Sequence, residues 1–275
     1  MQRIGMAGML CASMAHLGAI GNIVAGRSRF AWLVAISRFY TRLASPIAFL
    51  ARRFIQVAGC QVESHARTCL DIGAGTAPYA EAVCREFQVN TYLAVDVAPN
   101  ERTQIVADAC SLPFKNGAAD LIVSFDVIQH VAAPECMMQE VARVLSPGGH
   151  VLLTFPFMYA ECDFHDYQRW TMEGMAGLLT RNRLIPELET RRGGAVFAAA
   201  CALHWALQHI VPGQRRSWRA ERSWKGIARS AVLVLLTAPT QLLAWLSLAI
   251  DSVFPSQGCY MGGAILARKL GPEAV

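Results

Sequence analysis

The sequence predicts an α/β protein built on a doubly wound, largely parallel sheet. Three observations carry this reading. Short apolar runs of strand length alternate with segments of helical period. A glycine-rich turn, Asp71-Ile72-Gly73-Ala74-Gly75-Thr76, lies where the first run meets the first helical segment. Pro147-Gly148-Gly149 stops a helical pattern just before another apolar run. Strands joined by helices run parallel, with helices on both faces of the sheet.

The elements follow in order. Thr68 to Ile72 (TCLDI) reads as a buried strand, Ala77 to Phe87 as a helix and Thr91 to Val97 (TYLAVDV) as a second strand, which together make a βαβ unit. Short strands are expected at Gln104 to Ala107 and Asp120 to Phe125, a helix at Pro134 to Leu145, and a strand at His150 to Phe155. A helix from Thr171 to Thr180 and a strand from Glu187 to Arg192 continue the alternation.

Two regions depart from it. From Arg27 to Val57, apolar residues at helical spacing are interrupted by Arg38, Arg42, Arg52 and Arg53, which reads as two basic amphipathic helices broken near Ser45-Pro46. Such a pair either caps a sheet edge or lies on an anionic membrane surface. Later, Ala195 to Val211 is nearly all apolar, Gln214 to Lys225 is strongly basic and Ala231 to Ile250 is apolar again. The closing strand, Tyr260 to Ala267, arrives only after this detour. The organisation expected is therefore an N-terminal extension with amphipathic helices (1–57), a core (58–194), an apolar helical insertion (195–256) and the final strand with a tail (257–275).

Composition narrows the partners. Charged residues are only 16% of the chain and the apolar set is 54%, so part of the surface is expected to face a membrane or an apolar ligand. The net charge of +5 is not gathered into one basic run, which gives no reason to expect nucleic acid. The nine cysteines show neither a C-x-x-C pair nor a metal-ligand grouping with histidine, so no metal is expected and a reducing compartment is. Residues 1–26 carry one charge, Arg3; they read as a membrane-directed leader or as an extension without structure of its own.

Gly73 and Gly75 remove side chains where a backbone can approach a ligand, and the following helix start offers N–H donors. An ordinary tight turn would carry the same glycines. Asp96 falls at the tip of the second strand, where a carboxylate accepts the two hydroxyls of a ribose. A nicotinamide-dependent enzyme would use the same acid. Its third glycine, however, would fall at Pro78, and Asp71 is foreign to that fingerprint but suits a ligand with a cationic amino group.

Asp71 to Thr76, then Asp96, then Val106-Ala107-Asp108-Ala109 with Leu112-Pro113-Phe114, resembles the class I S-adenosylmethionine-dependent methyltransferases of small molecules. SFDVIQHV (Ser124 to Val131) and EVARVLSPGG (Glu140 to Gly149) are similar to that family's fourth strand and the helix after it. The resemblance implies a Rossmann-like sheet of seven strands with the last antiparallel. It implies Gly73 and Gly75 against the cofactor, Asp71 near its methionyl part, Asp96 on its ribose, and Asp108 and Ala109 at its adenine. It also implies Phe125 in the pocket wall. A turn or helix cap is the structural alternative for Asp108.

Asp166-Tyr167-Gln168-Arg169-Trp170-Thr171, after Pro156-Phe157-Met158-Tyr159, resembles a subgroup with a D-Y-x-R-[YF]-T string that is associated with bacterial glycan and natural-product pathways. The histidine that the subgroup carries soon after Tyr159 is missing, and Glu161-Cys162-Asp163 stands there. The loop follows the fifth strand, at the carboxyl edge where open α/β sheets bind ligands. His165, Asp166, Tyr167 and Arg169 are the candidate base, base-orienting acid and acceptor anchors, with His165 first as base and Glu161 or Asp163 as substitutes. The competing reading has Arg169 and Asp166 pair to fix the loop and Thr171 cap the next helix, while His130 is a wall residue or cap rather than a base.

The function expected is O-methylation of a small-molecule, glycan or lipid-linked acceptor with S-adenosylmethionine as donor. The expected location is the cytoplasm, peripheral to the inner face of the membrane through residues 195–250. A non-catalytic membrane-associated scaffold that keeps the fold is the alternative.

Overall fold

The computed structural model describes residues 45–62, 66–161, 165–210, 224–256 and 258–271. Residues 1–44 and the arginines at 215, 216, 219 and 222 lie outside the described residues, as does Asp163. The elements in chain order are α1 (Pro46–Gly59), β1 (Thr68–Ile72), α2 (Ala80–Glu86), β2 (Thr91–Asp96), β3 (Ile105–Val106) and β4 (Ala119–Phe125). A 3-10 turn (Ile128–His130) leads to α3 (Pro134–Val144), β5 (Leu145–Pro156), α4 (Met172–Arg181), β6 (Leu184–Arg192), α5 (Ala195–Ile210), α6 (Trp224–Val253) and β7 (Gly262–Lys269).

The chain divides into two compact units. Among the described residues, one holds 50–192 and 261–271, the other 45–49 and 193–260.

In the first unit the seven strands form one sheet in the order β3-β2-β1-β4-β5-β7-β6. β1 to β5 pair in parallel, and β7 runs antiparallel to both β5 and β6. The order reverses between β1 and β4, so the crevice of this open sheet opens at the carboxyl ends of those two strands. Strands covered on both faces need near-continuous apolar sequence, and Leu70, Ile72, Ile122, Val151, Leu153 and Ile265 are all buried in one core. Helix α3 adds Met137, Met138, Val141 and Val144, and α4 adds Met172, Met175, Leu178 and Leu179. Both sets repeat at helical spacing, and each side chain contributes roughly 1.5–3 kcal/mol on full burial.

Local departures from the expected boundaries have physical causes. Helix α2 begins at Ala80 rather than Ala77, because Ala77 takes a left-handed φ of 50° and its N–H donates to the Ala74 carbonyl at 2.7 Å, so the turn continues past Pro78. Strand β5 begins at Leu145, directly after α3. Leu145 pairs with Ala119, yet the next pair is Leu121 with His150, so a bulge holds Ser146–Gly149 with Gly148 at φ 78°. Strand β6 starts three residues earlier than expected because Leu184 already pairs with Lys269, with a register shift at Pro186 that accommodates the missing N–H.

In the second unit, Asp251 near the end of α6 caps the start of α5. Its Oδ2 accepts from the N–H groups of Gly194 and Phe197 at 2.9 Å, and its Oδ1 accepts from Val196 at 3.1 Å. Buried His204 and Thr240 join through a 2.6 Å hydrogen bond between Nδ1 and Oγ1. Burial lowers the His204 pKa from its ordinary value. Helix α6 contains Pro239, and among the described residues no helix is long and apolar enough to cross a membrane.

Candidate functional site

The turn after β1 is built from its own backbone. Gly73 and Ala74 both donate to the Val95 carbonyl, at 2.8 and 3.1 Å, which folds the chain back over the end of β2. Gly73 has φ 72°, and a Cβ there would stand 2.4 Å from a Val127 methyl carbon. Glycine is thus required at position 73 by packing as well as by conformation.

Asp96 closes this turn from β2. Its Oδ2 accepts from Gly75 N–H at 2.8 Å and its Oδ1 from Ala98 N–H at 2.9 Å. Each oxygen spends one lone pair and keeps another, and the side chain is held in one orientation. Asp71 is 2% exposed, and the Tyr92 hydroxyl donates to its Oδ2. Burial pushes the Asp71 pKa up to about 7; the Tyr92 hydrogen bond opposes that shift and the Asp96 charge reinforces it. Burial, with the Asp71 carboxylate, also drives the Tyr92 phenol far above its ordinary value.

Asp108 caps a tight turn. Its Oδ1 accepts from Cys110 N–H at 2.8 Å, and Ser111 N–H donates to its carbonyl at 2.9 Å. Ala109 packs against the main core. Phe125, the last residue of β4, lies against Tyr79 with ring centroids 4.6 Å apart.

The loop after β5 is held by an ion pair. Arg169 grips the carboxylate of Asp166 with both Nη atoms, and its Nη2 and Nε donate to the carbonyls of Ala160 and Tyr159 at 3.1 and 3.4 Å. Thr171 caps α4 by accepting from Gly174 N–H at 3.0 Å. Tyr167 N–H donates to the Gln129 carbonyl, its side chain is 52% exposed, and its hydroxyl lies 2.9 Å from His165 Nδ1. His130 Nδ1 is 3.1 Å from the His165 carbonyl oxygen, which links the two histidines through the backbone.

Sequence reading missed Asp126 and Arg192. Asp126 follows Phe125 with φ 54°, and Arg192 at the end of β6 binds its carboxylate with both Nη atoms while donating to the Phe155 carbonyl at 3.0 Å. The only local signal was a charged residue at each strand end. Among the described residues, three buried polar atoms here lack a partner: Gln129 Oε1, Trp170 Nε1 and Arg192 Nε. Unsatisfied groups at the carboxyl edge of the sheet are what a polar ligand would satisfy.

A family model described as "Methyltransferase domain" matches residues 70–153, the stretch from β1 through most of β5. Over residues 70–153 the chain is similar to methyltransferase domains. Two mycobacterial proteins, each named only as an uncharacterized methyltransferase, are similar to it. The one from Mycobacterium sp. (strain JLS) is 31% identical over 129 residues, or 43% of this chain and 50% of that protein. The one from Mycobacterium marinum (strain ATCC BAA-535 / M) is 28% identical over 192 residues, or 62% and 72%. The chain spans about half the length of the curated relatives it matches first. A crystal structure assigned to a sarcosine dimethylglycine methyltransferase from Galdieria sulphuraria shares the fold at TM-score 0.51 and 18% identity, over 80% of this chain and 84% of that one. The first unit thus has the Rossmann-like, seven-stranded arrangement that the resemblance implied, and its glycine turn, Asp96 and Phe125 stand at the carboxyl ends of β1, β2 and β4.

Proposed function

We propose that the protein transfers a methyl group from S-adenosylmethionine to a hydroxyl oxygen of a small-molecule, glycan or lipid-linked acceptor. One observation carries the reading: the Asp96 carboxylate, fixed by the backbone of Gly75 and of Ala98, keeps a lone pair free on each oxygen. A ribose diol takes that pattern. Asp71 sits at the same edge, buried and short of charge compensation, and suits a ligand that brings an ammonium group. Asp108 and Ala109 are assigned to the adenine side and Phe125 to the wall. When bound, the cofactor supplies a methyl group activated by a neighbouring sulfonium charge. What remains for the chain is alignment, exclusion of water and removal of the acceptor's proton. His165, aligned by the Tyr167 hydroxyl, is assigned as the base, and Asp166 with Arg169 as the pair that fixes the acceptor loop.

The glycan or lipid-linked class rests on the D-Y-x-R-x-T resemblance of the loop. Membrane contact rests on the second unit. Leu242, Leu246, Ile250 and Val253 recur every three or four residues along α6 and are exposed, as is Leu203 on α5. The stretch 214–225 holds Arg215, Arg216, Arg219, Arg222 and Lys225 against Glu221 alone. An apolar stripe and a basic stretch within one insertion fit the anionic inner leaflet, with the domain on the cytoplasmic side.

Calorimetric titration with S-adenosylmethionine and, separately, NAD tests the core of the reading. Binding of the first alone is expected. Binding of NAD alone, or of neither, would overturn it. Incubation with methyl-tritiated S-adenosylmethionine and fractionated cell extract then assigns the acceptor, and label in the organic phase is expected.

A further inference from the structure

The cysteines, which show no C-x-x-C pair in sequence, include one pair that the fold brings together. Cys110 lies in the turn capped by Asp108, and Cys136 lies in the first turn of α3, 26 positions later. Cys136 Sγ donates to the Cys110 carbonyl at 3.6 Å, and Cys110 Sγ donates to the carbonyl of Ala133, just ahead of the helix, at 3.5 Å. Each sulfur therefore rests on the other's backbone segment. Both are partly exposed, whereas Cys69 is buried in β1. The same segments are also clamped by Glu140 and Arg143. Glu140 Oε2 accepts from Leu112 N–H at 2.7 Å, and Arg143 donates to the carbonyls of Leu112 and Phe114. This scaffold holds the turn against the helix whatever the state of the sulfurs.

We propose that Cys110 and Cys136 are an oxidative modification site, a dithiol that a low-molecular-weight disulfide such as oxidised glutathione converts into an intrachain disulfide. Burial, then Cys136, Asp108 and Glu140, push the Cys110 thiol up to about 12, so it stays protonated and is a poor first nucleophile. Cys136 is the sulfur that meets the reagent. As thiolate it attacks one reagent sulfur, forming a mixed disulfide and releasing one glutathione thiolate, which takes up a proton. Cys110 then gives its proton to solvent and attacks Cys136 Sγ, and the second glutathione leaves as thiolate and is protonated. Two protein thiols are oxidised, and two electrons and two protons end on the reagent.

The bond would fasten the Asp108–Ala109 turn to α3. On the methyltransferase reading, that couples redox state to the adenine side of the cofactor site. The whole chain is equilibrated in glutathione buffers of stepped redox ratio, quenched in acid, alkylated and digested with trypsin. Cys110 and Cys136 then fall in separate peptides, 103–115 and 116–143, with no other cysteine in either. A crosslinked pair of these peptides that returns to two alkylated peptides on reduction is expected. In Cys110→Ser, Cys136 should instead retain glutathione, for want of a resolving thiol. Alkylation of both peptides at every ratio, or glutathione on each without a crosslink, would overturn the pair. Titration with S-adenosylmethionine should differ several-fold between reduced and crosslinked protein, and equal affinities with the crosslink formed would overturn the coupling. Failure of the reduced protein to bind at all would count against the methyltransferase reading and leave the thiol pair to the peptide map.

Discussion

Arg192 crosses from the end of β6, over β7 and β5, to hold Asp126 at the end of β4. The lane it uses is cleared by Gly262, where a Cβ would stand 2.8 Å from Arg192 Nη2 and 2.2 Å from the Phe155 carbonyl oxygen. The guanidinium is buried, and Asp126 is the counter-charge that its hydrogen bonds reach. Both charges were taken out of water, so the pair's net contribution to stability is small, but removing either partner leaves a charge unanswered.

Asp126→Ala is therefore expected to destabilise the protein by about 3–5 kcal/mol, the scale for breaking a buried pair. Asp126→Ala with Arg192→Met should recover a large part of that loss. Denaturant melts of the three variants measure it. If the single variant melts like the wild type, the guanidinium is not dependent on Asp126.

Asp96→Ala is expected to weaken S-adenosylmethionine binding by about 1.5–3 kcal/mol, the scale for hydrogen bonds to a charged group. The structure adds a second effect, because the carboxylate also satisfies Gly75 and Ala98 N–H groups. The variant should melt at a lower temperature as well. Asp96→Asn keeps one acceptor oxygen and should fall between. An unchanged dissociation constant in a folded variant removes Asp96 from the cofactor site.

How much of this was legible in sequence depends on range. The turn from Asp71 to Thr76 and the tip at Asp96 are local signals of a strand–turn–helix–strand unit, and β1, α2 and β2 appear there with shifts of a few residues. Phe125 was legible through the motif around it. Asp126 and Arg192 stand 66 positions apart and meet because β6 runs in the same direction as β4 and ends at the same edge of the sheet. Nothing within a few residues of either announces the other. Cys110 and Cys136 were invisible as a pair for the same reason. The loop was legible as one of two readings: the Asp166–Arg169 pair, three positions apart, and the Thr171 cap are both present as the structural reading expected.

Asp71 should make stability depend on pH. Its folded-state pKa of about 7 lies above the ordinary value of 3.8, so between those limits the native protein holds more protons than the unfolded chain. Stability contributed by this group is then present at low pH and lost as pH rises through about 7. Asp71→Asn lacks the titration, so the wild-type melting temperature minus that of the variant should fall between pH 5 and 8. A flat difference would show that Asp71 does not titrate there. A cationic ligand bound beside Asp71 should also bind more tightly as pH rises over the same window.

Arg169→Ala removes the clamp on the loop after β5 without touching the turns at Gly73 or Asp96. Hydrogen exchange in residues 159–169 is expected to speed up, while S-adenosylmethionine affinity changes little and methyl transfer to the labelled extract fraction drops. Loss of cofactor affinity with unchanged loop protection would place Arg169 in the cofactor site instead.

The exposed stripe of the second unit yields the last prediction. Leu242, Leu246 and Ile250 stand on one side of α6 and are each well exposed, an arrangement costly in water and favourable in a bilayer interface. Full transfer of one such side chain out of water contributes about 1.5–3 kcal/mol, and partial immersion contributes less. Three together still suffice to move a protein from mostly bound to mostly free, since each ~1.4 kcal/mol is tenfold in partitioning. The wild-type protein is therefore expected to float with vesicles of phosphatidylcholine and phosphatidylglycerol. The triple change Leu242→Ser, Leu246→Ser and Ile250→Ser should leave it at the bottom of the gradient with its melting temperature nearly unchanged. Added salt should weaken flotation of the wild type, because headgroup attraction by the basic segment is screened. If the wild type stays at the bottom with anionic vesicles and instead sediments as a dimer that the triple change dissociates, the stripe is a contact between copies of the chain and the membrane assignment fails.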